Sequence, residues 1–327
     1  MLDPDVMRPV FADPKTDFVF KKLFGTEEHK HLLIALLNAL LELPPERAVV
    51  EVTFLREEER PRVEELKFSV VDVKVRDARG TVFVVEMQVL QVEGFQKRVV
   101  YNASKAYVAQ LARGDEYPEL DDVIAISICD FELWPRVAGE PEVPLVSHWR
   151  MQEQHGGRRG LAQIQYVFVE LPKLPLDRPP GAEVEEWAYL FRRAAKLSEV
   201  PTFLHSAGPR AALDAARTAH FSSEEWEAYD RVKVAEQDAR GALSFARAEG
   251  RAEGRAEGKA EGRAEGKAEG ELAVLERIIE RRLGRALTEA ERAVLRSQQA
   301  ELGTDGLSER ALEGSAEDLG HWLSGGG

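Results

Sequence analysis

The sequence predicts an α/β core followed by a helical extension, a low-complexity repeat and a small helical module. Three observations predict it. The stretch 68–90, FSVVDVKVRDARGTVFVVEMQVL, holds two β-branched runs joined by a short turn, the pattern of a hairpin. The stretch 123–129, VIAISIC, is almost wholly apolar, as in a strand covered on both faces. Helix-patterned segments flank these runs and take over beyond a proline-rich boundary at 173–181.

Along the chain, residues 1–12 read as disordered or extended. Thr16 caps a short helix that runs to Phe24 and is ended by Gly25, with Phe20 and Leu23 or Phe24 inward and Lys21 and Lys22 outward. Asp17, in its first turn, complements the helix dipole. A second helix spans about 27–43 and is stopped by Pro44-Pro45. Its His29 and His31 are two apart, do not share a face, and read as solvated residues rather than metal ligands. A strand at 49–55 leads into a charged connector, 56–65, expected to be a long hairpin loop. Beyond the hairpin, 95–113 reads as an amphipathic helix with Val99, Ala103, Ala106 or Tyr107, and Leu111 inward. A further strand covers 165–171, and 182–245 is helical. There Ser222 and Glu225 form a capping box, and Phe221 and Trp226 a hydrophobic staple.

The hairpin turn fixes a register. Ala78-Arg79-Gly80 makes a three-residue loop whose last position favours glycine, so Asp77 pairs with Thr81. Counting outward, Val75 meets Phe83, Val73 meets Val85, and Asp72 meets Glu86. Opposed Cβ atoms lie about 4.5–5.5 Å apart. Two bare carboxylates so close repel or share a proton, whereas around Mg2+ they form half a coordination shell. Side chains alternate along a strand, so Gln88 joins the face of Glu86 and Lys74 that of Asp72. Val71, Val73, Val75, Val85 and Val89 belong on the opposite, core face. On these residues alone, a solvated sheet face carrying an opposed acid pair remains the alternative.

Asp72, followed across the hairpin by Glu86-Met87-Gln88, resembles the D…(D/E)xK signature of the PD-(D/E)XK nuclease fold. With glutamine in the last place it is similar to the recombination-promoting nuclease (Rpn), or transposase-like, branch. DPKTDFVFKKLFG at 13–25, LLNALL at 36–41, Asp72-Val73-Lys74 and the helix from Tyr101 towards Tyr117 extend the resemblance over roughly residues 10–175. It implies a mixed central sheet flanked by helices and a divalent-metal-dependent DNA endonuclease of recombination or mobile-element biology. The cofactor implied is Mg2+, or Mn2+ or Ca2+. Asp72 and Glu86 would hold the metal with the backbone carbonyl of Met87, and Gln88 would orient the water or the phosphate. In the family an acid on the first helix often joins the metal site, which gives Asp17 a second role. The wider superfamily usually has lysine where Gln88 stands, leaving Lys74, Arg98 and Lys105 as candidate sources of positive charge. The alternative for Arg98 and Lys105 is that they are ordinary surface cations.

Whole-chain properties bound these readings. The 327 residues carry a net charge of −14, which counts against a broad nucleic-acid-binding surface and requires a nuclease to gather its cations at the site. The single cysteine, Cys129, excludes a disulfide scaffold and suits a reducing compartment. The opening MLDPDVMRPV lacks the apolar core of a secretory signal, and 32–43 is too short to span a bilayer, so a cytoplasmic protein without membrane contact is expected.

Residues 247–270 are six copies of (Arg/Lys)-Ala-Glu-Gly. Like charges recur at i,i+4 and glycine costs about 0.8–1 kcal/mol per position in a helix. Two readings follow: a flexible charged linker, or a helix held by a partner copy in a right-handed pair, the basis for expecting a homo-oligomer. Helix patterning resumes at 271–283 and 290–299, with a lone Trp322 beyond. The organisation expected is thus a nuclease-like domain at 10–175, a helical extension at 182–245, the repeat at 246–270 and a small module at 271–325. The competing function is a catalytically weak nuclease fold acting as an oligomerising DNA- or protein-binding module. The acidic balance favours it, and the Asp72, Glu86, Gln88 set opposes it. A phosphoesterase with another substrate would use the same residues.

Overall fold

A computed structural model describes residues 8–55, 72–112, 114–157 and 159–323. The predicted connector 56–65 and the core position Val71 lie outside the described residues. The chain divides into two units, Met1–Arg240 and Gly241–Gly327.

The strands are β1 (Val52–Phe54), β2 (Val73–Asp77), β3 (Val82–Gln88), β4 (Val123–Cys129), β5 (Val146–Gln152) and β6 (Gly160–Glu170). The helices are α1 (Asp17–Phe24), α2 (Lys30–Leu41), α3 (Phe95–Val108), α4 (Glu183–Arg193), α5 (Ala207–Ala215), α6 (Ser223–Leu283), α7 (Glu289–Glu313) and α8 (Ala316–Leu323). The six strands form one sheet in the order β1-β2-β3-β4-β6-β5. The β3–β4 and β4–β6 pairs are parallel and the others antiparallel, so the sheet is mixed.

The hairpin has the register that its turn predicts, with Val73 opposite Val85 and Val75 opposite Phe83. The Asp77 amide donates to Thr81 O and the Gly80 amide to Asp77 O, both at 3.0 Å. Gly80 has φ of 93°, a left-handed conformation that favours glycine, and a Cβ there would also press on the Asp121 carboxylate. One expectation is corrected: β2 begins at Val73, and Asp72 sits in a bend just ahead of the ladder.

The sheet separates two apolar layers. On one side Val73, Val75, Phe83, Val85, Ile126 and Val167 pack with residues of α1, α2, α4 and α5. On the other, Val82, Val84, Ala125, Cys129 and Phe168 meet Phe95, Val99, Ala103 and Ala106 of α3. Strand β4 serves both layers, which is why its sequence is apolar except at Ser127. Thr16 caps α1 by accepting from the Val19 amide at 3.4 Å. Asn38 interrupts the apolar α2 because its amide bonds both the N–H and the C=O of Val49, each at 2.8 Å. The His29 and His31 rings meet edge to face at the start of α2. Helix α3 is shorter than predicted. It ends at Val108, and the Gln110 amide then clamps Asp121 N and O, each at 3.0 Å, turning the chain back into β4.

Strand β5 is absent from the sequence reading. Most of it is exposed, as suits an edge strand with one paired side. Beyond the prolines, Trp187, Phe191, Leu213 and Tyr229 bury themselves in the same layer as Phe20 and Phe24, so the helices after Gly181 share the core of the sheet's first face. At the end of β6, the fully buried Glu170 accepts from the Leu133 and Trp134 amides at 2.6 and 3.0 Å and from Lys173 Nζ at 2.7 Å.

Helix α6 starts with the predicted capping box. The Ser222 amide donates to Glu225 Oε2 at 2.9 Å, and the Glu225 amide to Ser222 Oγ at 3.3 Å. The Phe221 and Trp226 rings meet at 5.6 Å, the predicted staple. The repeat lies within this helix. In the second unit, Leu272, Leu275 and Ile279 of α6 cluster with Leu295, Leu307, Leu319 and Trp322. Helix α7 breaks at Gly303, where φ is 70°.

A Cβ at any of the six repeat glycines would meet no other residue within 4 Å. Replacing Gly254, Gly258 and Gly262 together by alanine should therefore stabilise the helix by about 1 kcal/mol each. Circular dichroism through thermal unfolding checks this. A loss of helix or of stability would mean that another chain packs on the glycine stripe.

Candidate active site

Where the central hairpin ends, a cleft of about 360 Å³ opens. Lys15, Asp17, Asp72, Met87 and Gln88 line it, together with Glu236 and Arg240 of α6. All of these belong to the first unit.

Asp72 is pinned to β3, its Oδ2 accepting from the Met87 amide at 2.7 Å. Burial pushes its carboxyl from 3.8 up to about 6. The Met87 amide opposes that rise, the negative charges of Asp17 and Glu86 add to it, and Lys21 opposes it. Glu86 is buried, and its Oε1 accepts from Asn102 Nδ2 of α3 at 2.6 Å. Burial raises its carboxyl too, against the Asn102 hydrogen bond and the charge of Arg98. Two acids on neighbouring backbone segments are thus held in surroundings that disfavour their ionised forms. A scaffold that used them only for solubility would expose them.

Gln88 is engaged at both ends of its amide. Nε2 donates to Leu90 O at 2.7 Å, and Oε1 accepts from Arg98 Nη2. Of the candidate cations, Arg98 therefore reaches the end of β3. Lys105 lies about two turns further along α3. Lys74 stands opposite Val84 on β2, the side of the sheet that carries Glu86. Asp17 keeps its place in the first turn of α1, pairs with Lys21 at 2.9 Å, and also lines the cleft.

Sequence reading missed three contributors. Asn102 could have been found as a polar residue between Val99 and Ala103 on the inward face of α3. Lys15 gave no signal beyond its place in the opening segment, since its partner Asp130 is far along the chain. The wall from α6 gave none.

The cleft's donors are oxygens. Among the described residues no group of three or more His, Cys, Asp or Glu side chains is placed to hold a metal ion. Mg2+ commonly takes only one or two carboxylates and completes its octahedron with waters and substrate phosphates. Asp72 lines the cleft and Glu86, bonded to Asn102 of α3, stands beside it, and both, destabilised as bare charges, fit that demand.

A model of the PD-(D/E)XK nuclease family transposases matches residues 14–246. The chain belongs to that family. The match runs past the proline-rich segment and takes in α4, α5 and the part of α6 that lines the cleft. PD-(D/E)XK nucleases act on nucleic acid and generally use divalent metal ions. No curated protein and no solved structure matches the chain. No described helix of this family member is long and apolar enough to cross a membrane.

With the metal chelated, Asp72→Asn should stabilise the protein at neutral pH. The sign follows from linkage. A carboxyl raised from 3.8 to about 6 costs the folded state nothing below 3.8 and its full penalty above 6. The difference corresponds to at most about 3 kcal/mol, and partial exposure reduces it to about 1–2 kcal/mol. The asparagine oxygen can still accept from the Met87 amide. Urea unfolding in EDTA should show the gain at pH 7 and its loss by pH 4. An equal gain at both pH values would mean that the Asp72 charge is not the cause.

Proposed function

We propose that the protein is a divalent-metal-dependent DNA endonuclease linked to recombination or mobile elements. The observation that carries this reading is the pair of carboxylates, half-buried Asp72 and buried Glu86, both with raised pKa, at the end of the hairpin beside an open cleft. Asp72 and Glu86 hold the cation, with the Met87 carbonyl as a third donor. Mg2+ is favoured, and Mn2+ or Ca2+ would suit the same oxygens. When bound, such an ion polarises the phosphodiester and lowers the pKa of a water. Asn102 positions Glu86, and the Met87 amide orients Asp72. Gln88 holds Arg98 at the end of β3, where its charge favours the ionised form of Glu86. Asp17 adds negative charge near Asp72 and so raises the site's demand for a cation.

The net charge of −14 favours a second reading, in which the fold is kept as a binding module without cleavage. Plasmid cleavage by wild type and Asp72→Ala, each with Mg2+ and with EDTA, separates the two. Cleavage that needs both Asp72 and metal supports the enzyme. A folded wild type that leaves the plasmid intact removes it.

A further inference from the structure

We infer that Lys15 supplies the positive charge that meets the reacting phosphate, a task Gln88 cannot perform. The inference rests on the nuclease reading and specifies how that site handles its substrate. Both ends of the Gln88 amide are already occupied, by Arg98 and by Leu90 O. Arg98 gives an N–H to Gln88, rests 5.5 Å from the Phe95 ring centroid and does not line the cleft. Lys15 instead lines the cleft with Asp72 and Gln88.

Its position is set by the end of the sheet. The Asp130 amide, directly after β4, donates to Gln88 O at 2.9 Å. Asp130 Oδ2 in turn receives Lys15 Nζ at 2.7 Å. Two hydrogen bonds thus tie the ammonium to the backbone of Gln88. The backbone of Lys15 is anchored as well, its amide donating to Asp13 Oδ1 at 3.1 Å. Asp13 is itself held by Lys233 at 2.8 Å and by a bond from its own amide to the Tyr229 hydroxyl at 3.0 Å. The Lys15 side chain is only 15 % exposed, so it does not wander over the surface.

Lys15, Lys233 and Arg240 face Asp13, Asp130 and Glu236, and Asp17 and Asp72 line the same cleft, so the cations there are outnumbered by acids. Asp130 is shared, since Arg240 Nη2 lies 3.9 Å from the same oxygen that holds Lys15. An ammonium has three donors. Lys15 can therefore keep Asp130 and give a further N–H to a phosphate oxygen, and that contact is charge-assisted.

The test compares wild type, Lys15→Met, Lys15→Arg and Asp72→Ala. It measures cleavage of a labelled duplex in Mg2+ and binding of the same duplex in EDTA across a salt series. Lys15→Met should lose at least about 100-fold in kcat, with KM rising by no more than about tenfold, the binding that one phosphate contact supplies. Its salt slope of binding should fall by about 1, as expected for one lost phosphate contact. Lys15→Arg should recover at least a tenth of the cleavage and the full slope. It also decides the matter if Lys15→Met does not fold. Then an arginine variant that folds but cleaves no better than Asp72→Ala, with a reduced slope, overturns the inference. A Lys15→Met enzyme that cleaves like wild type overturns it while the Asp72-dependent nuclease stands. A folded wild type that does not cleave at all overturns the nuclease reading and the role of Lys15 together.

Discussion

Asp72→Ala and Glu86→Gln should each lower metal-dependent DNA cleavage by about 10³-fold or more, while neither unfolds the protein. The magnitude follows from what is removed. A metal site gives several kcal/mol of transition-state stabilisation, and each 1.36 kcal/mol is tenfold in rate. Folding should survive because both carboxylates are a burden to the empty fold, burial raising the pKa of each. In Glu86→Gln the amide oxygen still accepts from Asn102, whose bond to Glu86 is 2.6 Å long. The expected signature is opposed: activity falls while stability in EDTA holds or rises. Single-turnover cleavage and urea unfolding on the same samples measure it. Loss of activity together with loss of stability would identify the two acids as scaffold.

The largest stability effect is expected elsewhere, at Lys173. Glu170 is fully buried, and the Lys173 side chain is 8 % exposed. Lys173 Nζ bonds Glu170 Oε1 at 2.7 Å and Val143 O at 2.8 Å. Lys173→Met removes the counter-charge and leaves a carboxylate in the interior with only the Leu133 and Trp134 amides. Breaking a buried pair in this way costs about 3–5 kcal/mol. The change should also register optically. The Trp134 amide is one of the Glu170 donors, and its ring stacks on Trp149 at 4.5 Å. Near-ultraviolet circular dichroism should therefore change with the denaturation midpoint. The double variant Glu170→Gln, Lys173→Met should recover much of the loss, because no bare charge is then buried. A single-variant cost below about 1 kcal/mol would show that water reaches Glu170.

What could be read from the sequence was local. The register of the hairpin followed from Gly80, because a three-residue turn leaves one pairing. The ends of α1 and α6 followed from Thr16 and from Ser222 with Glu225, because a cap is decided within four residues. Strand β4 followed from its almost wholly apolar run. What failed depended on distant partners. Strand β5 lacks a clean alternation because it lies at an edge and exposes most of its length. Asp72 fell just outside β2, its carboxylate taking the Met87 amide of the partner strand. Asn102 looked like any polar residue on a helix until Glu86 was seen beneath it. Lys15 and Asp130 are 115 residues apart, and only the closed sheet brings them together. The candidate acids were legible as residues, but the groups that hold them were not.

Cys129 is the only thiol in the chain and lies buried in β4, where burial pushes it up to about 12. At physiological pH it is a neutral thiol out of reach of alkylating reagents and mild oxidants. The native protein is in effect a cysteine-free background. A cysteine introduced at Glu236 or Arg240 would be its sole reactive handle, so a single fluorophore could follow events at the cleft without removing any natural residue of the core.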